Sequence, residues 1–586
     1  MKDTPRRGFL ASLGMTIVLC AVAAFSPIRA QHSLAFARDK AAPLQKTADE
    51  AAPAQQETPA KQAGAREQNA TNKAGEALYK QRCAACHDNE VPRAPNRAAL
   101  KEMSAENIRF ALMTGKMVVQ AFGLSSSQIA DLTEFLTGKQ PAKVQFSPEA
   151  FCLAASAAAF ADPLAKPHWN GWGGDLEQHR FQPAEMAQLS AEQVPKLKLK
   201  WAFGFPGVTR AFGQATVAGG RVFVGSAERK VYSLSAETGC IFWMFEADFP
   251  VRTAVSIGQN GSGWAAYFGD QHANAYAVDA ATGKLLWKTS LESHPAAQIT
   301  GAPALAGGKL FVPVSSVEEV FGGNPQYECC KFRGSVSALD AVTGKILWKG
   351  YTVTEEPKPV RKNKLGVQLW GPSGAGVWSS PTVDLKTHTV YVTTGDSYSD
   401  PAAETSDAFL AFDADTGKLK WSQQMTKGDA FNLDCGLPAE KQNNCPETKG
   451  PDFDFGSSPI LVELGNGRRA LIAGQKSGIV YALDPDKQGE LLWQRRVGRG
   501  SSVGGVQWGS AVDQKSVYVA VSDLVMKPVA PGTPGAQDSV FGNPFQVDPK
   551  TGGGLFALKL DTGEIVWHTP HPGCNDKPGC SPAQSA

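Results

Sequence analysis

The stretch VDAATGKLLW, residues 278–287, packs a fold into ten letters. An apolar run ends at Val278, Asp279 and Thr282-Gly283 supply turn chemistry, and a second short run ends on Trp287. Asp and Thr bond back to nearby backbone and Gly accepts a left-handed conformation, so the phrase predicts two antiparallel strands joined by a tight turn. The phrase recurs as SAETGCIFW ending at Trp243, DAVTGKILW at Trp348, DADTGKLKW at Trp421, DPDKQGELLW at Trp493 and KLDTGEIVW at Trp567. A repeated unit of short strands that cannot bury its own faces predicts a β-propeller. KLKLKW, ending at Trp201, carries the strand half without its turn. Such a strand usually completes the last blade and leaves no open edge. The residues after Trp567 offer no inner strands for it to join, so the ring is expected to continue beyond Ala586.

The chain on either side of the repeats has a different character. Lys2, Arg6 and Arg7 precede a short apolar run from Leu10 to Phe25, the layout of an export signal cleaved near Ala30. Arg6-Arg7-Gly8-Phe9-Leu10 also resembles a twin-arginine signal, so a general secretory and a twin-arginine route both stay open. Residues 1–30 are therefore read as a signal peptide and the mature chain as periplasmic, with no membrane span. Residues 31–72, rich in Ala, Gln, Lys and Pro, cannot bury a core and read as a linker. The net charge of +2 provides no electrostatic footprint for nucleic acid.

From residue 73 to about 140 the pattern turns helical, closing on SSSQIADLTEFLTG with Ile129, Leu132, Phe135 and Leu136 on one face. Within it CAACH, Cys83 to His87, has the spacing of covalent haem c attachment. Cys83 and Cys86 would form the thioethers and His87 an axial iron ligand. A zinc half-site is the alternative, but no second Cys/His pair at zinc spacing lies nearby. Met117, in a loop after Thr114-Gly115-Lys116, is the candidate second iron ligand over Met103 and Met113, which fall in helical context.

An exported chain can form disulfides. Cys435 with Cys445 and Cys574 with Cys580 are near neighbours, leaving Cys152 and Cys240 to pair by elimination. Cys329 and Cys330 are adjacent, an awkward separation for a bridge, and such strain gathers at functional sites.

The tryptophan phrase together with the cysteine pair resembles the quinoprotein alcohol dehydrogenases over roughly residues 165–586. That resemblance implies a small all-α cytochrome c domain (73–140) followed by an all-β, eight-bladed propeller binding pyrroloquinoline quinone and calcium. Its C-terminal part would be missing here. By the family's spacing, Thr300 and Ser315 would contact the quinone, and Trp378 would form the floor beneath it. Glu318 and Asp396 would bind calcium, although the family usually has Asn at the second position; Glu319 and Glu328 are rivals for the first. PDFDFGSS resembles the family's Trp-Asp-Tyr segment, which makes Asp454 the catalytic base and puts Phe453 in the tryptophan's place. Lys476 would contact the quinone oxygens, and the Cys329-Cys330 pair would close the pocket. The pair sits one blade later than usual, since RTAVSIG (252–258) has no cysteine.

These types suit the chemistry: hard carboxylate oxygens for calcium, a carboxylate to take the alcohol proton, and a lysine to stabilise developing negative charge. ECCKFRGSVSALD and the ending GCSPAQSA resemble the cytochrome-type polyvinyl alcohol dehydrogenases, implying a polymeric or other secondary alcohol as substrate and a soluble cytochrome c as electron acceptor. Outer-membrane assembly propellers share the tryptophan phrase, so a non-catalytic binding propeller is one alternative. A dehydrogenase of small or aromatic alcohols is another.

Overall fold

The computed structural model describes residues 73–571 apart from 90–93, 114–116, 118–119, 122–123, 140–145, 154–159, 207–210, 466, 524, 531–532, 535, 539–543 and 549–551. The expected signal peptide, the linker and the Cys574–Cys580 pair lie outside these residues. The chain divides into two compact units. One takes in the described residues of Met15–Arg109 and Ser127–Ala142, the other those of Phe110–Ser126 and Lys143–Ala586. The expected helical domain at 73–140 thus has its Phe110–Ser126 portion, with Met117, grouped with the larger unit.

The smaller unit is helical. Residues 73–82 form one helix, Ala84–His87 a single turn, and Ser126–Thr137 a longer helix with Ile129, Leu132 and Leu136 buried. Tyr79 packs on Phe135 at 5.6 Å, and the Arg97 guanidinium covers both rings.

Besides a two-stranded ribbon of Lys358–Lys362 and Gln368–Gly371, the larger unit is built from six antiparallel sheets among the described residues, each on four strands in chain order. They span 216–246, 256–290, 304–351, 382–424, 460–496 and 511–570. The third gains Ala297–Gln298, and the sixth carries an inserted three-stranded sheet. The repeated phrase is the turn between third and fourth strands in every sheet. In the second sheet Asp279 Oδ1 accepts from the Thr282 amide and hydroxyl at 2.8 and 2.7 Å. Asp340 with Thr343 and Asp413 with Thr416 repeat the arrangement.

The tryptophan then docks on the turn of the following sheet. Trp243, Trp287, Trp348 and Trp493 donate their indole N–H to Ala280, Ala341, Ala414 and Leu560 at 2.9–3.1 Å. Each ring lies against the turn glycine. At Gly344, whose φ is +72°, a Cβ would come within 2.6 Å of Trp287. A side chain there would both strain the backbone and evict the indole. Trp201 makes the same contact from outside the first sheet, donating to Ala236 at 3.1 Å over Gly239.

The first strands of five of the six sheets converge on one segment, Trp169–Arg180. Trp169 exchanges backbone bonds with Val217, and the Asn170 side chain brackets Ile257. Val383, Leu461 and Val512 donate in turn to Leu176, Glu177 and His179. Sheets that meet a common centre by their first strands have the propeller arrangement. Cys152–Cys240 and Cys435–Cys445 are disulfide-bonded, as spacing and elimination suggested. Among the described residues no helix is long and apolar enough to cross a membrane.

Trp287 is buried between two sheets whereas Trp567 is 38 % exposed. Trp287→Ala is therefore expected to cost about 3–5 kcal/mol in denaturant unfolding, and Trp567→Ala much less. Equal costs would show that docking on the following turn is not what gives these indoles their weight.

Candidate functional site

The loops entering the fourth and fifth sheets bring a tryptophan and a buried charge cluster together. Trp378 lies just before the fourth sheet. Its indole is held by close backbone approach: a Cβ on Gly456 would lie 2.4 Å from Trp378 Cη2, and one on Gly395 would lie 2.5 Å from Asp454 Oδ1. Trp508, entering the sixth sheet, meets Trp378 edge to face at 5.9 Å and 88°. Thr300 donates to the Trp378 carbonyl at 3.1 Å, and its hydroxyl lies 3.0 Å from that of Ser315. The expected Thr300, Ser315 and Trp378 are therefore neighbours.

Beside them Lys476 Nζ donates to Asp454 Oδ2 at 2.6 Å and to Asp452 Oδ1 at 2.7 Å, and lies 5.8 Å from the Trp378 ring centroid. Asp454 Oδ1 accepts the Asp396 backbone N–H at 2.6 Å. One carboxylate oxygen from each of Asp396, Asp452 and Asp454 falls within 4.8 Å of the others. All three residues are buried, and Asp396 Oδ2 has no hydrogen-bond partner.

Burial opposes every charge here, so the neighbours decide the outcome. Burial, reinforced by Asp454 and Glu319, pushes Asp396 well above the usual carboxylate range. Burial would do the same to Asp454, but Lys476 outweighs it and holds that carboxyl low. Lys476 loses to burial and regains more from Asp454 and Asp452, which keep it protonated. Crowded carboxylates around one ammonium, with an oxygen left orphaned, suit a hard cation.

The structure separates the two adjacent glutamates. Glu318 is fully buried and its oxygens are spent. They accept from the Tyr327 hydroxyl at 2.9 Å, from the Lys331 amide at 2.9 and 3.0 Å and from the Phe332 amide at 2.8 Å. His294 Nε2 adds a contact at 3.2 Å. Glu318 thus anchors the loop that carries Cys329 and Cys330. Glu319 instead interacts with Lys476, Asp454 and Asp429, and burial pushes it up to about 7. The two sit side by side on the single turn Glu318–Phe321, where consecutive side chains diverge. The third rival, Glu328, pairs at the surface with Lys331.

Cys329 and Cys330 are joined as a disulfide through a cis peptide bond. They are buried in a cluster with Ile299, Phe332 and Tyr398. Trp370 fastens the pair by backbone hydrogen bonds to both residues, at 2.8 and 3.1 Å.

Asp452 was not singled out from the sequence, although Asp-x-Asp in PDFDFG was visible and alternate residues can share a face. Asp429 was also missed; it accepts the Asp452 and Phe453 amides at 3.0 and 2.8 Å and so positions the loop. No local signal marks it, since it lies 25 residues before Asp454.

In the smaller unit Cys83 and Cys86 are free thiols at either end of one helical turn. The buried His87 bonds through Nδ1 to the Pro95 carbonyl at 2.7 Å. That bond fixes the ring and leaves Nε2 as the nitrogen for a metal. Met117 sits in a turn, its amide bonded to the Ala111 carbonyl at 2.9 Å.

Comparison with known proteins follows this division. Residues 292–440 match the family described as glucose/ethanol/alcohol dehydrogenase, beta-propeller domain. Residues 198–318 match outer membrane protein assembly factor BamB, and 70–136 match cytochrome C oxidase, cbb3-type, subunit III. The chain is 43% identical over 516 residues to polyvinylalcohol dehydrogenase of a Pseudomonas species, covering 85% of this chain and 76% of that one. It is 40% identical over 512 residues to the enzyme of the same name from Sphingopyxis sp. strain 113P3, covering 84% and 75%. The structure of a europium-containing methanol dehydrogenase aligns with a TM-score of 0.50 at 18% identity, over 69% of this chain and 78% of the other, a likeness of fold.

Glu318→Gln would turn amide hydrogens towards backbone donors. It is expected to lower stability by about 1–3 kcal/mol in denaturant melts, while Glu319→Gln relieves a crowded charge and does not. The reverse order would overturn the separation of their roles.

Proposed function

The chain belongs to the pyrroloquinoline quinone-dependent quinohaemoprotein alcohol dehydrogenases, alongside the polyvinylalcohol dehydrogenases, and we propose that it oxidises polyvinyl alcohol or another secondary alcohol. The observation that carries this reading is the buried Asp454–Lys476–Asp452 cluster beside Trp378. We take the reaction to run in the periplasm, with electrons passing to haem c in the smaller unit and then to a soluble cytochrome c. The propeller is read as eight-bladed. Trp201, docking on the first sheet as the other tryptophans dock on their neighbours, supports a blade beyond the six described.

The residues fit the cofactors they would hold. Trp378 would be the shelf beneath the quinone ring, Thr300 and Ser315 its hydroxyl contacts, and the Cys329–Cys330 disulfide part of the pocket wall. Asp396 and Glu319 would be the protein's calcium ligands. Glu319 replaces Glu318 in that role because the oxygens of Glu318 are already engaged and Asp396 Oδ2 is not. The quinone, when bound with calcium, supplies the acceptor for the substrate's hydride.

The rest is done by the chain. Asp454 stays ionised beside Lys476 and takes the hydroxyl proton of the alcohol. Lys476 offsets negative charge on the side of the site where the electrons arrive. Asp452 shares the ammonium, which donates to both carboxylates at once. Asp429 holds the loop through the Asp452 and Phe453 amides, fixing the carboxylate's reach. Cys83 and Cys86 would be the thioether sites, and His87 and Met117 the axial ligands of the haem iron.

Asp454→Asn, which keeps the shape and removes the base, is expected to lower kcat for a secondary alcohol by about 10²–10⁴-fold, with quinone binding retained. Steady-state turnover with an artificial electron acceptor, beside a quinone-binding titration, checks this. Turnover within threefold of the parent would remove Asp454 from the role.

A further inference from the structure

We infer that a cavity beside the disulfide loop is a second subsite for the substrate, holding hydroxyl-bearing carbon chain beyond the carbon that reacts. The inference rests on the dehydrogenase reading above. The sheets depart from their own repeat in two places, and both departures meet here. The connection from second to third strand is short in the first, second and fifth sheets, at 226–229, 270–273 and 475–478, but runs 317–334 in the third. The link between the first and second sheets is 247–255. That between the third and fourth is 352–381, and it includes the ribbon of Lys358–Lys362 and Gln368–Gly371. Phe332 and Arg333 from the long connection and Trp370 from the ribbon wall a cavity of about 390 Å³, completed by Ser293, His294 and Tyr351 at the edges of the second and third sheets. That volume suits a bound organic ligand.

The cavity lies at the same end of the sheets as the proposed active site. In a sheet of four antiparallel strands, the second-to-third connection and the links to neighbouring sheets leave from one end. Trp378 and Asp454 lie on such links, Asp396 and Lys476 on such connections, and the cavity residues on both. The cavity also adjoins the disulfide. Trp370 bonds by its backbone to both cysteines, and the Phe332 ring stacks on Tyr398, two residues from Asp396, at 6.3 Å.

The charges around the cavity are matched in pairs. Arg333 faces Glu356 at 3.7 Å, Lys331 pairs with Glu328 at 2.9 Å, and Glu292 with Lys349 at 2.5 Å. His294 is engaged as well: its Nδ1 accepts the Ala296 amide and its Nε2 faces Glu318. A charged ligand finds no unpaired counter-charge here, whereas a neutral one finds donors, acceptors and aromatic surface together. Arg333 lies 3.9 Å over the Tyr351 ring and Lys331 lies 4.3 Å over that of Trp370, so cationic donors and rings alternate along the wall. An alcohol chain with hydroxyls on alternate carbons matches that mixture. Its methylenes lie against rings, and each hydroxyl both donates and accepts. A small alcohol fills the reaction site alone; a long one reaches both.

The test compares polyvinyl alcohol with 2-butanol as substrates of the holoenzyme loaded with quinone and calcium, and measures polymer binding separately by calorimetry. Ser293 is an exposed residue of the lining, so Ser293→Trp fills the cavity without disturbing a buried contact. Tyr351→Ala instead removes ring surface. Each variant is expected to raise KM for the polymer and to weaken polymer binding about tenfold. The kcat for the polymer and both constants for 2-butanol are expected to stay within about twofold of the parent, the pattern of binding lost away from the reacting carbon. Equal losses on both alcohols, or a parent-like KM for the polymer in Ser293→Trp, would overturn the subsite. A parent protein that oxidises 2-butanol but does not bind the polymer would overturn it too. Should Tyr351→Ala fail to fold by circular dichroism, Ser293→Trp decides alone. Oxidation of neither alcohol by the parent would instead overturn the dehydrogenase reading itself.

Discussion

The larger unit depends on one contact repeated between neighbouring sheets: an indole lying on a glycine turn and donating to a backbone carbonyl beside it. A four-stranded antiparallel sheet of this size cannot bury both faces alone. Here the fourth-strand tryptophan does that, and at four junctions its N–H finds a partner, so burying so large a ring leaves that polar group satisfied. Because the docking sets where each sheet sits on the next, it also sets where the loops before the first strands end. Those loops carry Thr300, Trp378, Gly456 and Trp508. The chemistry is thus mounted on rigid edges, and segment Trp169–Arg180 ties those edges together beneath.

Upon this frame the site is an electrostatic problem with one cation at its centre. Lys476 binds two carboxylates directly, while Asp396 and Glu319 crowd the same volume without an ammonium of their own. Burial pushes Asp396, Glu319 and Asp452 upward while Lys476 holds Asp454 low, so the cluster keeps one carboxylate apart from its neighbours in charge state, the contrast on which the proposed base rests. Glu318 shows the contrast. It is fully buried, yet three donors hold it and His294 lies against it, and its work is to fasten the disulfide loop.

The sheets were legible in the sequence because Asp-x-x-Thr-Gly and the tryptophan each do something local. The turn chemistry is written within five residues, and the docking ring follows at fixed distance. Thr300, Ser315, Trp378, Asp454 and Lys476 were reached through spacing and family resemblance, and the fold brings them together. What stayed hidden depends on direction and on distant contact. Glu318 and Glu319 are adjacent letters whose side chains part on one helical turn, and spacing alone does not show that Glu318 is held by Tyr327, Lys331 and Phe332 while Glu319 acts on Asp396. Asp429 reaches the Asp454 loop only through the fold. Cys152 and Cys240, 88 residues apart, were paired by counting rather than by any physical signal.

The account stands or falls on electrons reaching haem from an alcohol. The direct measurement is the visible spectrum of the oxidised protein supplied with calcium and pyrroloquinoline quinone, recorded before and after adding polyvinyl alcohol or a small secondary alcohol. The account predicts the reduced haem bands with alcohol and quinone together, and with neither alone. An unchanged spectrum in a protein whose haem dithionite still reduces would contradict it.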